Sequence, residues 1–289
     1  MVLELVFWDV QHGSATYIKT PNGKHIVVDL GIGSYSANSG EKFSPLKHLN
    51  EKYNVEGLDH VIITHPDKDH IDDILNFKSM SPKVLSRPKT ITKEEILEKL
   101  SDDESSNEIF KEYLRICESY CQPVETGNDL TVPDNAGKVE INIFRPSRDT
   151  SSKKINNHSL VTVLRYAGST VILPGDNEVA SWKELMEDKE FMDAVKNADI
   201  LLAPHHGRDS GFYNELMKHI NPYITVISDG EECDTSATDR YGAITRGWKV
   251  NSKSLGQIER KCLTTRKDGV IVIKLGYNDS RPFIDVRID

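Results

Sequence analysis

Short apolar runs separated by polar, glycine-containing turns dominate the chain, and they predict strands more often than helices. Residues 3–8, 15–19 and 24–29 read as three strands, with Pro21-Asn22-Gly23 turning between the last two. Further strands are predicted over 58–64, 138–144, 160–166, 170–173, 200–203 and 224–228, and the tail returns to β over 269–275 and 283–286. Helical spacing predicts helices over 44–52 and 179–195. Residues 90–120 are helical in pattern and strongly charged, with a polar break at Asp102-Asp103-Glu104-Ser105-Ser106. That region, within about 88–130, reads as a helical insert in a single domain spanning 1–289. The Gly/Ser-rich stretch 31–40 reads as a loop. Two β-rich halves, each with helices, suggest a duplicated α/β sandwich.

Polar clusters recur where the predicted strands end. Val61-Ile62-Ile63-Thr64 runs straight into His65-Pro66-Asp67-Lys68-Asp69-His70, which packs two histidines and two aspartates into six positions. The second part reads as a loop opening a helix, with Asp69 near the cap. Four metal-capable side chains at the mouth of one buried strand call for a cation to neutralise them. Asp29-Leu30-Gly31, Asn156-Asn157-His158-Ser159, Gly175-Asp176-Asn177 and Pro204-His205-His206-Gly207 also stand at predicted strand ends. Ligands collect at such ends in α/β proteins.

Composition narrows the class. Hydrophobic residues make up 37% and charged residues 28% of 289, which fits a folded globular chain. The net charge of −9 disfavours a duplex-DNA groove, so any basic surface must be local. No apolar run is long enough to cross a bilayer, so no membrane partner is expected. The start, from Met1 to Asp9, reads as a strand and not as a signal peptide. Four cysteines (Cys117, Cys121, Cys233, Cys262) are too few for a disulfide framework, which suggests a cytoplasmic setting. Cys117 and Cys121 lie one helical turn apart but have no second ligand pair nearby. His12 reads as structural or substrate-facing.

The order Asp-x-Gly, His-x-Asp-x-Asp-His, Gly-Asp, Pro-His-His-Gly resembles the metallo-β-lactamase-fold hydrolases. Within them it is similar to the branch related to the soluble domain of the ComEC/Rec2 competence proteins, which carries aspartate at the position held here by Asp67. Phe7-Trp8-Asp9-Val10-Gln11-His12-Gly13, Asn157 to Ser159, Ile227-Ser228-Asp229-Gly230 and Thr264-Thr265-Arg266-Lys267-Asp268-Gly269 also look like motifs of that branch. Two stretches depart from it. Gln11-His12 and Ser14 replace the usual residues, and Thr235-Ser236-Ala237-Thr238-Asp239-Arg240-Tyr241 stands where a His-Pro pair is expected.

The resemblance implies a four-layer αββα sandwich with a helical insertion, holding two divalent ions. His65 and Asp67 would bind the first metal, Asp69 and His70 the second, and Asp176 would bridge them. His205 or His206 would complete the second site, and His158 could fill the first. Asp29 would orient a ligand from behind. The implied activity is that of a dinuclear hydrolase acting through a metal-bridging hydroxide, with Asp67 and Asp69 at the catalytic centre. Asp67 adds a hard oxygen and shifts preference from zinc toward manganese or magnesium. The expected substrate is a phosphodiester, in nucleic acid or a nucleotide. Arg208, Arg240 and Arg266 are candidates to bind its oxygens, since a guanidinium presents a planar fork. A thioester, lactone or amide hydrolase of the same fold, or a non-catalytic metal-binding regulator, are the alternative readings.

Overall fold

A computed structural model describes residues 1–33, 43–147, 154–230 and 237–288. Part of the predicted loop 31–40, together with Cys233, Thr235 and Ser236, lies outside the described residues. Among the described residues the strands form two sheets. The larger runs, in spatial order, Gly256–Arg260, Trp248–Ser252, Arg281–Ile288, Ile271–Asn278, Val2–Phe7, Thr16–Lys19, His25–Val28, His60–Ile62 and Val84–Ser86. The smaller runs Cys262–Thr264, Ile224–Ile227, Ile200–Leu202, Ser169–Leu173, Val161–Tyr166 and Glu140–Phe144.

Side chains on a strand alternate between its two faces, and that alternation builds the layers. Leu5, Ile18, Ile26 and Ile62 of the larger sheet share one buried cluster with Leu164, Val171, Ile200 and Val226 of the smaller. Their sequence neighbours face outward. Val6, Tyr17, Val27 and Val61 pack against Leu46, Leu49, Ile74, Phe77 and Tyr113 from helical segments. Val163, Ile172 and Leu201 pack against Trp182, Phe191, Leu216 and Tyr241. The result is helix, sheet, sheet, helix, a mixed α/β sandwich as expected. Each fully buried aliphatic or aromatic side chain contributes roughly 1.5–3 kcal/mol, so three clusters covering both faces of both sheets fix the architecture.

Each sheet has a parallel part. His25–Val28, His60–Ile62 and Val84–Ser86 run parallel, as do Ser169–Leu173, Ile200–Leu202, Ile224–Ile227 and Cys262–Thr264. Parallel strands end on a common edge. The chain leaves Val28 into Asp29, Ile62 into Thr64-His65, Leu173 into Gly175-Asp176, and Leu202 into Pro204-His205-His206, so both sheets carry their polar clusters at strand exits.

The helices differ from expectation where a capping residue intervenes. The helix predicted over 179–195 is two, Val179–Leu185 and Lys189–Val195, because Asp188 turns its carboxylate onto the Glu190 N–H at 2.8 Å and starts a new helix. The charged region 90–120 contains Lys93–Leu97, opened by a Thr92/Glu95 capping box, and Glu104–Ser119, capped by Asp103. The helix predicted over 44–52 spans Pro45–Tyr53, with Ser44 as its cap. No described helix is long and apolar enough to cross a membrane.

Candidate metal centre

The site begins with Asp29, whose backbone takes the left-handed conformation (φ 60°) just past its strand. Its buried carboxylate accepts the Thr64 N–H at 2.7 Å and the Thr64 hydroxyl at 2.8 Å, and stands 2.8 Å from His70 Nδ1. One side chain therefore joins two strand exits and aims the other nitrogen of His70 inward. The helix that follows, Lys68–Ile71, has Asp67 as its N-cap residue and Asp69 in its first turn. The Asp69 carbonyl accepts the Ser14 N–H at 3.1 Å, and the His70 carbonyl accepts the Leu30 N–H at 2.8 Å. Gly31 makes that approach possible, since a Cβ there would lie 2.5 Å from the Asp69 carbonyl oxygen.

The smaller sheet supplies the opposite wall. The Asp176 N–H donates to Ser159 Oγ at 3.1 Å. Pro204 to Gly207 forms a tight turn in which His205, His206 and Gly207 all have positive φ (50°, 52° and 75°). Such backbone is costly for non-glycine residues and concentrates at functional sites. Both imidazoles reach toward Asp176 Oδ2, His206 Nε2 at 3.5 Å and His205 Nε2 at 3.8 Å. His206 is pinned by Nδ1 on the Ser228 carbonyl at 3.0 Å, and its Nε2 lies 3.2 Å from Asp69 Oδ2 and 3.5 Å from Asp176 Oδ2.

Among the described residues two groups bring three potential ligand atoms within 4.8 Å of one another: His65, His70 and Asp176; and His12, Asp69 and His206. In the first, His70 Nε2 is 3.2 Å from Asp176 Oδ1 and His65 Nε2 is 3.8 Å from Asp176 Oδ2. In the second, Asp69 Oδ2 is 3.2 Å from the Nε2 atoms of both His12 and His206. His70 Nε2 also lies 3.2 Å from His206 Nε2, so this ring borders both groups.

Of the residues singled out in the sequence, His65, Asp69, His70, Asp176 and His206 meet here. Asp67 borders the first group, with Oδ2 3.4 Å from His65 Nε2, while Oδ1 pairs with Lys99. His205 stands at the rim, with Nε2 3.8 Å from Asp176 Oδ2 and 3.1 Å from an Arg208 nitrogen, and Nδ1 2.8 Å from Ser210 Oγ. His158 belongs to neither group, and its Nδ1 faces Thr90 Oγ1 at 3.0 Å. Arg266 lies 3.5 Å from Asp229 Oδ2. Arg240 pairs with Asp209 at 2.7 Å and sits 4.1 Å over the Phe212 ring. The addition is His12, which sequence spacing offers no way to join to a motif 57 residues on. The sequence reads it as structural or substrate-facing, and its one signal is its place in the motif-like stretch Phe7 to Gly13 just past the first strand.

The donor set fits divalent cations. His65 Nε2 is buried without a hydrogen-bond partner, facing two carboxylates. Burial opposes ionisation of Asp69 and Asp176, yet the facing imidazoles hold both carboxyls well below the usual range. Burial likewise works against charged His206, but Asp176 and Asp69 push its pKa up to about 10. His70 is raised in the same way by Asp176 and Asp29. His205 is lowered, by burial first and then by Arg208 despite the nearby Asp176. Burial works against ionised Asp67 too, which is half-buried, but His65 and Lys99 hold its pKa at about 2.

Comparisons with known proteins bear on the family of this chain. The sequence pattern of the Metallo-beta-lactamase superfamily matches residues 8–216. ComE operon protein 3 of Bacillus subtilis (strain 168) is 27% identical over 235 residues, covering 77% of this chain but 28% of that protein. The chain thus spans less than a third of that relative, and the match supports the competence-protein-like branch. Among solved structures, a diphosphatase of the PhnP family is 10% identical with a TM-score of 0.46, covering 96% of this chain and 98% of that one. The short form of human tRNase Z is 11% identical with a TM-score of 0.40, covering 79% and 93%. Members of this superfamily typically bind divalent metals, and the clustered histidines and aspartates fit a metal-dependent hydrolase. With well over half of its length matched by the superfamily pattern, the chain belongs to the metallo-beta-lactamase superfamily.

Proposed function

We propose that this protein is a dinuclear metal-dependent hydrolase of phosphodiesters, a nuclease or a nucleotide phosphodiesterase. The observation that carries the reading is the pair of three-ligand groups meeting across Asp176 and Asp69. One cation would be held by His65, His70 and Asp176, with Asp67 beside it; the other by His12, Asp69 and His206. Bound ions would supply Lewis acidity, activating water at neutral pH and neutralising charge on phosphoryl oxygens.

The chain's own residues do the positioning. Asp29 fixes the tautomer and direction of His70 through Nδ1. The Ser228 carbonyl does the same for His206. Four aspartates in and behind the centre give it a hard, oxygen-rich character, which favours manganese or magnesium beside zinc and favours an anionic phosphoryl group over a neutral carbonyl. Arg208, at the His205 rim, is the arginine best situated to hold a phosphate oxygen. A reducing, cytoplasmic setting belongs to the same reading, since Cys117, Cys121 and Cys262 are free.

The test is turnover by the purified chain, loaded with manganese or zinc, of single- and double-stranded DNA, RNA and cyclic nucleotides, beside a panel of thioesters and lactones. Phosphodiester cleavage is expected, falling by about a hundredfold or more in Asp69→Ala and His206→Ala. Turnover confined to the thioester or lactone panel, or equal cleavage by the variants, contradicts the reading.

A further inference from the structure

We infer that the helical insert builds the phosphoryl-binding wall of this site, with Lys99 as the residue that holds the anion; the inference rests on the phosphodiester reading above. A cavity of about 400 Å³ lies between the metal loop and the insert. Asp67, Lys68 and Asp69 line one side, and Lys99, Ser101, Ser106 and Phe110 line the other. It therefore borders two of the candidate metal-site carboxylates and opens to solvent beside the insert.

Three observations point to an anion there. Lys99 directs its ammonium at the mouth of the site, where it pairs with Asp67. An ammonium has three N–H donors, and Asp67 uses one, so the same group can bridge to a phosphoryl oxygen. The chain carries −9 overall, so an anionic substrate needs cations fixed locally. Lys99 and Lys68, the latter steadied by Asp72 at 2.8 Å, supply them on the two walls of one cavity. Ser101 lines the same wall, and its hydroxyl oxygen accepts the Asp103 N–H at 3.3 Å, which leaves its O–H to donate to an anion.

The insert is braced for such a role. Lys99 stands in the turn that ends the capped helix Lys93–Leu97, where its N–H donates to the Ile96 carbonyl at 3.1 Å. Glu112 of the next helix pairs with Lys78 at 3.0 Å, and Ile109, Phe110, Tyr113 and Ile116 share the outer cluster of the larger sheet. A wall packed into the core holds its lysine at a set distance from the metal loop, which a surface loop would not do.

The experiment compares the metal-reconstituted full chain with its Lys99→Met and Lys99→Arg variants. Calorimetry measures binding of a nucleoside 5′-monophosphate and of the same nucleoside without phosphate, and elemental analysis measures metal per chain. Lys99→Met is expected to weaken monophosphate binding by about tenfold or more, leaving nucleoside binding and metal content as in wild type. Lys99→Arg should restore most of the affinity. Monophosphate affinity unchanged in Lys99→Met, or lost only together with metal, overturns the inference while leaving the phosphodiester reading in place. A metal-loaded wild type that neither binds the monophosphate nor cleaves any phosphodiester overturns both.

Discussion

At the scale of single residues, Asp29 sets the direction of a candidate metal ligand, His70. It accepts from Thr64 and faces His70 Nδ1, so His70 presents Nε2 to Asp176. Asp29→Asn removes the charge and changes the partner offered to that ring. Outer partners of this kind are worth about 10- to 100-fold in metal affinity, so competition with a chelator should show a loss in that range; an unchanged affinity would mean that His70 is oriented otherwise. The two histidines outside the His-x-Asp-x-Asp-His motif separate in the same assay. His12→Ala should lower the metal retained per chain, because Asp69 and His206 then lack their third partner, whereas His158→Ala should leave it unchanged. Equal retention in both variants would remove His12 from the centre. His65, Asp67, Asp69 and His70 are legible in the sequence because they are crowded together after an apolar run. His12 is not, because only the pairing of Val2–Phe7 with its neighbouring strands carries it to the same edge.

At the scale of elements, the turn from Pro204 to Gly207 is the most constrained piece of the site. Three consecutive residues have positive φ, and a Cβ on Gly207 would meet Ile227 Cγ2 at 2.8 Å. Gly207→Ala is therefore expected to cost about 1–3 kcal/mol in denaturant unfolding and to lower metal retention as His206 moves; a silent variant would show that the turn is not under strain. Which of His205 and His206 faces inward is hidden from sequence for this reason, since adjacent positions on a regular strand or helix would give a different answer. Elements with buried, β-branched runs, such as His25–Val28 and Ile224–Ile227, are legible. Val84–Ser86 buries only Val84, and Gly256–Arg260, an edge strand of Gly, Gln, Ile, Glu and Arg, lacks a buried face.

At the scale of the whole molecule, two sheets packed face to face make the fold depend on buried groups outside the candidate site. His60 sits in the parallel strand beside Val84–Ser86, with Nε2 2.8 Å from Ser86 Oγ and Nδ1 buried without a hydrogen-bond partner. Burial, only partly offset by Asp129, lowers its pKa to about 4 from an ordinary 6.5. Between those values the unfolded chain holds the proton and the folded chain does not, so this contribution to stability is full above pH 6.5 and is lost as pH falls through 4. The loss is roughly 3 kcal/mol. Denaturant unfolding of wild type and His60→Gln at pH 7, 5 and 4 should show the variant losing less on acidification; parallel declines would assign acid sensitivity elsewhere. The layered architecture was legible as two β-rich halves with helices, because the apolar runs alternate with turns throughout. The convergence of those halves was not, since a pattern of residues does not say that Asp176 and Asp69 will face one another.

That convergence is the central claim, and diffraction from crystals of the metal-reconstituted protein, recorded at the metal absorption edge, tests it most directly. Two anomalous peaks flanking Asp176 are predicted, one against His65 and His70 and the other against His12, Asp69 and His206. No peak at this centre, or ions bound only elsewhere, would contradict it.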